Sequence, residues 1–152
     1  MKKILTLALI AKEEKILLGM KKRGFGMGWW NGFGGKVELD ESIGDAAKRE
    51  VHEEVGLEIS AMEEVGLMNF HLQDRPEILD VHLFKVSDFS GVPTESEEMK
   101  PRWFSLNELP FDKMWSSDLV WYPYFLSGGR FMAEFWFDKD KKVIKYDIKK
   151  VQ

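Results

Sequence analysis

Residues 35–57 read GKVELDESIGDAAKREVHEEVGL. Ser42 is placed to cap a helix over residues 43–55, and Gly56 is placed to stop it. Glu41 and Asp45 near its start suit the helix dipole. With Ile43 at zero on a wheel of about 100° per residue, Glu50 and Glu54 fall about 20° to either side. Glu53 sits further round, near Ala46. Ala47, Val51 and Val55 fill the other flank of the same half, while Asp45, Lys48, Arg49 and His52 take the opposite half. The glutamates therefore share the inward-looking half with alanines, whose small size leaves room in front of the carboxylates. Crowded, partly buried carboxylates resist ionising together and are relieved by a proton or by a cation. Hard divalent cations take such oxygen ligands, completed by water and substrate phosphate. Alone, an acidic stripe is more often a solvated or lysine-paired face, so its neighbours must decide.

The chain has 152 residues, a length that suits one compact domain over residues 1–152. Its composition, 44% hydrophobic and 32% charged, is that of a globular protein. The formal net charge of −4 excludes a basic footprint for a nucleic-acid polymer. It leaves room for an anionic small molecule if a metal or local cations supply positive charge. Six tryptophans and eleven phenylalanines point to flat apolar surfaces, in the core or around something planar. The absence of cysteine excludes disulfides, thiolate metal sites and cysteine nucleophiles. No apolar run is long enough to span a bilayer. MKKILTLALIAKEEK at the start mimics a short signal peptide, but reads better as a hairpin of strands over 4–10 and 15–20, and a cytoplasmic protein is expected.

Residues 21–36, KKRGFGMGWWNGFGGK, are crowded with glycine and read as loop. Residues 58–73 and 78–87 read as strands parted by a turn at QDRPE. RWFSLNELP reads as a short strand into a helical turn, and a second helix is expected from Ser116 or Ser117 to before Gly128. The tail RFMAEFWFD–KDKK–VIKYDIKK alternates as a β-hairpin does. Strands separated by two helices predict an α/β fold, a mixed β-sheet with helices on both faces. Strand order is not readable from this pattern.

The opening stretch resembles the signature of the Nudix hydrolases at every defined position. It has Gly35, five spacers, Glu41, seven spacers, Arg49-Glu50, an aliphatic, one spacer, Glu53-Glu54, one spacer, Gly56 and an aliphatic. The resemblance implies the Nudix fold, an α/β/α sandwich, and cleavage of a diphosphate linked to another moiety with Mg²⁺ or Mn²⁺. It implies that Glu50, Glu53 and Glu54 hold the metal, with the carbonyl of Gly35 as a further ligand. One of these acids, or a nearby one, would orient or deprotonate the attacking water. Arg49, one turn before Glu53, is spaced to pair with it, and Glu41 is placed to assist.

KKRGFG, FGGKV, DVHLF, GVPTESEEM and the tryptophan-rich PFDKMW…WYP look like the oxidised purine nucleoside triphosphatases within that family, along nearly the whole chain. Such enzymes sanitise the nucleotide pool by cutting 8-oxo-dGTP and 2-hydroxy-dATP to the monophosphate and diphosphate. The resemblance places Thr6, Phe25, Asn31, Phe70, Trp115, Asp118 and Trp121 in the base pocket. It gives Met99 a place in the wall, Lys21 a phosphate, and Glu98 a position near the metal. Asn31 offers a donor and an acceptor to a purine edge. Trp115 offers a stacking face. Read without the family, Trp115, Trp121, Phe25 and Phe70 are core residues, Lys21 belongs to a solvated basic turn, and Asn31 is a turn residue. The histidines have no partners at metal-ligand spacing.

Three positions depart from the family pattern. Ser117-Asp118 stands where two adjacent aspartates are usual, and Leu72 and Leu79 replace a phenylalanine and a methionine. Two neighbouring buried acids can share a proton and so serve either guanine-like or adenine-like edges. One acid curtails that exchange, so a narrower or shifted base preference is expected. A Nudix hydrolase for another purine nucleotide and a catalytically silent nucleotide-binding module are the alternatives. A small-molecule nucleotide is the expected partner, and the chain is expected to be a monomer.

Overall fold

A computed structural model describes residues 1–151. β1 (Lys2–Lys12) turns through Glu13 and Glu14, both at positive φ, into antiparallel β2 (Lys15–Lys21). There follow β3 (Trp30–Asn31), α1 (Ile43–Val55), β4 (Glu58–Leu72), β5 (Ile78–Ser90) and β6 (Met99–Ser105). A 3-10 turn at Phe111–Lys113 leads to α2 (Asp118–Leu126), and β7 (Arg130–Phe137) and β8 (Val143–Val151) end the fold. All the strands join one mixed sheet in the order β3-β2-β1-β5-β4-β7-β8, with β6 paired to β2. β1 runs parallel to β5, and β4 to β7.

Alternation along β1 assigns its two faces. Leu7 and Leu9 enter a core with Met68, Leu83, Phe131 and Phe135 beneath the α2 residues Trp121, Tyr122 and Phe125. Ala8 and Ile10 enter the opposite core with Leu17, Phe33 and Val86 beneath the α1 residues Val51 and Val55. A central strand buried on both sides reads as a continuous apolar run, as LTLALI does. The helices thus cover opposite faces, and the α/β sandwich expected from the sequence is the fold.

α1 has the expected bounds. Ser42 Oγ accepts from the Asp45 amide at 3.0 Å, and Gly56 closes the helix at φ 76 with its amide donating to the His52 carbonyl. β3 is the element that the loop reading of residues 21–36 misses: two residues of glycine-flanked chain pair with Gly19 and Met20 of β2.

The stretch after β3 positions the site. The Ala8 and Phe33 amides each donate to the other's carbonyl, and the Thr6 amide donates to the Gly35 carbonyl at 2.9 Å. This lays residues 33–35 along the first half of β1. A Cβ on Gly34 would stand 1.8 Å from the Thr6 carbonyl oxygen, and one on Gly35 would stand 2.7 Å from the Glu50 carboxyl carbon. The strip is therefore glycine because backbone meets β1 on one side and a carboxylate of α1 on the other.

Candidate active site

The inward half of α1 delivers its glutamates to unequal depths. Glu54 is 5% exposed and its Oε1 accepts from the Gly34 amide at 2.9 Å. Burial, and after it the charge of Glu50, push its carboxyl up to about 8, against the Gly34 hydrogen bond and Lys21. Burial also raises Glu50, with Arg49 opposing. Glu53 corrects the wheel reading: its side chain is 57% exposed, at the rim rather than on the inward half.

Arg49 corrects it in the other direction. The wheel puts its Cβ on the solvated half, yet the long side chain swings back among the acids and is only 23% exposed. Its Nε and Nη2 donate to the two Glu41 carboxylate oxygens at 2.7 and 3.0 Å, a bidentate fork. Nη1 donates to Glu50 at 2.8 Å and to Glu53 at 3.3 Å, and Nη2 to the Lys36 carbonyl. This contact holds the Glu41 carboxyl below its ordinary value. Pairing with Glu53 is as expected; the fork to Glu41 is the stronger contact, and spacing alone did not show it.

Acid outnumbers base here. Glu50, Glu53 and Glu54 occupy one helix stripe, and Glu98 is near enough to push up both Glu50 and Glu54. Among the described residues no group of three acids or histidines already converges at metal-binding geometry, since Arg49 draws Glu50 and Glu53 to itself. The donor set nonetheless fits a hard divalent cation. It consists of oxygens and includes a buried carboxyl that ionises only with difficulty, and beside it lies the Gly35 carbonyl, which accepts from the Thr6 amide at 2.9 Å and, at 3.4 Å, from the Thr6 hydroxyl.

From Glu54 a single cavity of about 420 Å³ runs past Gly34, Gly35, Thr6 and Lys21 to an aromatic end. There Trp115 stands 5.5 Å from Phe25 and 6.1 Å from Phe70, centroid to centroid. Asn31, Leu79, Met99, Asp118 and Trp121 also line it. Asp118 is buried at the start of α2, and burial drives its carboxyl well above the ordinary range. Asp118 Oδ2, Trp121 Nε1, Ser117 Oγ and Tyr122 OH lack hydrogen-bond partners among the described residues. Two of these, Asp118 and Trp121, face the cavity and are available to a ligand.

Of the residues expected in the pocket, two lie elsewhere. Leu72 is 4% exposed in the α2-side core and does not line the cavity. It follows Phe70 by two residues on β4, and the aromatic cluster of Phe70, Phe135 and Phe137 fills the space beside it. Ser117 is fully buried behind the wall as the first residue flanking α2. Glu98 also lies outside the cavity, half exposed and 3.4 Å from Arg23. The cavity has wall residues for which no role was expected from sequence, among them Trp29, Lys3, Lys36 and Arg75. Of the histidines left without a role, His52 faces Glu58, His71 faces Glu134 and His82 faces Glu64, each within 3.1 Å.

A glutamate-bearing helix closed by a glycine strip, opening on one cavity with an aromatic end, suits a cation and a ligand that is flat at one end and anionic at the other. The NUDIX domain model matches residues 2–125, and the chain belongs to the Nudix family of hydrolases, which use divalent metal ions. It is 44% identical to an oxidized purine nucleoside triphosphate hydrolase of Mus musculus, over 98% of this chain and 96% of that protein. It is 42% identical to the protein of the same name from Danio rerio, over 99% and 96%. In structure it is similar to a MutT protein of Bacillus halodurans, with TM-score 0.86, 26% identity, and coverage of 96% and 97%.

Proposed function

We propose that this chain hydrolyses the oxidised purine nucleoside triphosphates 8-oxo-dGTP and 2-hydroxy-dATP to the monophosphate and diphosphate. The cofactor is Mg²⁺, with Mn²⁺ able to replace it. The work is that of a sanitiser of the nucleotide pool, in the cytoplasm. The observation that carries this reading is the single cavity joining the aromatic end to Glu54 and the glycine strip. A purine lies at the first and its phosphates reach the second. The names of the mouse and zebrafish relatives support the substrate class.

Glu50, Glu53 and Glu54 would hold the metal with the Gly35 carbonyl, and Glu98 adds a carboxylate nearby. A bound divalent ion there offsets charge on the phosphoryl oxygens and lowers the pKa of water. Arg49, tied to Glu41, holds Glu50 and Glu53 in register. Lys21, beside Glu54 in the cavity wall, receives phosphate. At the other end the base stacks on Trp115 between Phe25 and Phe70. Asn31 presents an amide with a donor and an acceptor. Asp118, neutral through burial, can donate as well as accept. Thr6, Leu79, Met99 and Trp121 close the walls.

Ser117 supplies no second acid, so the proton exchange of a carboxylate pair is unavailable and base preference is narrower. The active form is proposed to be a monomer. The reading of residues 1–152 as one domain is supported by β7 and β8, which lie beyond the matched family region and extend the same sheet. Incubation of 8-oxo-dGTP with the protein and Mg²⁺, with products separated, should give 8-oxo-dGMP and diphosphate in equal amounts. Stepwise release of orthophosphate would refute the reading.

A further inference from the structure

The β4–β5 turn brings one cation to the aromatic end. Arg75, half-buried, lines the cavity with its guanidinium carbon 4.5 Å from the centre of the Phe25 ring. Its backbone amide donates to the Leu72 carbonyl at 3.1 Å, which fixes the turn. Its side chain makes no hydrogen bond and no ion pair among the described residues, in contrast to Arg49 and Arg23. Stacking on Phe25 leaves the N–H edge of a guanidinium free to donate.

The sheet register says what that edge can meet. On the β1–β5 pair Lys3 faces Leu79 and Thr6 faces His82. At about 3.3 Å per residue, Leu79 lies about 10 Å along the sheet from Thr6, which binds Gly35. Arg75 lies further out, in the turn before β5. The triphosphate is drawn to the opposite end, so the part of the ligand beside Arg75 is the base. A guanidinium has donors only and never loses its charge near neutrality. It favours a carbonyl oxygen on the base and disfavours an amino group, which offers it only hydrogens.

We infer that Arg75 is a specificity-determining residue that favours bases offering it a carbonyl oxygen over bases offering it an amino group, C6 being the position at which the natural purines exchange one for the other. This rests on the proposed nucleotide reading of the cavity. It also gives a direction to the narrowed preference left by the single acid at Asp118. A second cation, Lys141, lies 5.2 Å from the same Phe25 ring but lines a separate cavity of about 170 Å³ on the β7–β8 turn. It supports Phe25 without facing the base.

The test compares 8-oxo-dITP with 8-oxo-dATP, which differ in the C6 substituent and its attendant ring proton. Wild type, Arg75→Met and Lys141→Met are assayed for kcat/KM. The same variants are titrated with the product monophosphates in Mg²⁺, which reads the contact without turnover. The wild type should favour the C6-oxo member in both measurements. Arg75→Met should lower that preference about 10-fold, as expected for a hydrogen bond to a charged group. Lys141→Met should leave the preference as it was. An equal loss on both ligands in Arg75→Met would make Arg75 only a support for Phe25 and overturn the inference, as would an unchanged preference or a wild type that binds neither monophosphate. An Arg75-dependent preference in binding, with no hydrolysis of either triphosphate, would sink the proposed activity and leave Arg75 in place.

Discussion

Glu54 carries a proton at neutral pH in the absence of a cation, because burial and Glu50 raise its carboxyl to about 8. A divalent ion must displace that proton. Mg²⁺ affinity should therefore rise with pH, by about tenfold per unit below 8 for one displaced proton, and calorimetric titration at several pH values would show it. A flat profile would remove Glu54 from the ligand set. Glu54→Gln should abolish metal-dependent turnover while the far-UV spectrum stays that of the folded chain. Asp118 is a different case, buried without a cation to claim it. Burial raises its folded carboxyl far above the ordinary aspartate value of 3.8, so the folded state keeps a proton that the unfolded chain loses above that pH. That contribution to stability is full below 3.8 and declines as pH rises. Asp118→Asn has nothing to lose over this range, so its Tm should gain on the wild type between pH 4 and pH 8. A constant gap would contradict a protonated Asp118.

α1 and the segment 36–41 act as one element through Arg49, whose donors reach Glu41 and the Lys36 carbonyl as well as Glu50 and Glu53. Arg49→Gln should cost about 10- to 100-fold in metal affinity or kcat, the scale seen when a group orienting metal ligands is lost, with the fold intact by circular dichroism. Ser42→Ala removes the cap and should lower stability by about 1 kcal/mol, read as a small fall in Tm. α1 was legible in the sequence because its signals are local: a capping serine, a 3.6-residue period and a stop glycine. Arg49 was misplaced because a wheel records where Cβ points, and a long side chain can turn back from there. Glu53 was misplaced because it stands about 80° from the centre of the stripe, at the edge of the inward half, where its side chain reaches solvent while Glu54 and Val55 beside it stay buried. β3 was missed because two residues have no period, and only pairing with Gly19 and Met20 makes them a strand.

At the scale of the whole molecule, the sandwich and its two helices followed from pattern, but the order of the sheet did not. β1 lies beside β5, and β4 beside β7, pairings that join residues far apart in sequence, and the first of them lines the cavity with Leu5, Leu7, Leu79 and Val81. The proposed metal end of the site comes from local signals, as α1 does: one continuous stretch, residues 35–57, supplies most of it. The base end is gathered from β1, β3 and the loop before it, β4, β5, β6, the turns before β5 and α2, and α2 itself, and there resemblance named residues that the pattern alone would have assigned to the core. Arg75 belongs to no motif and came only with the folded turn. The most direct measurement of the central claim is kcat/KM for 8-oxo-dGTP against dGTP in Mg²⁺, following diphosphate release. The predicted result is a clear preference for the oxidised nucleotide, lost together with all turnover in Glu54→Gln. Equal rates on the two nucleotides, or turnover that survives Glu54→Gln, would contradict it.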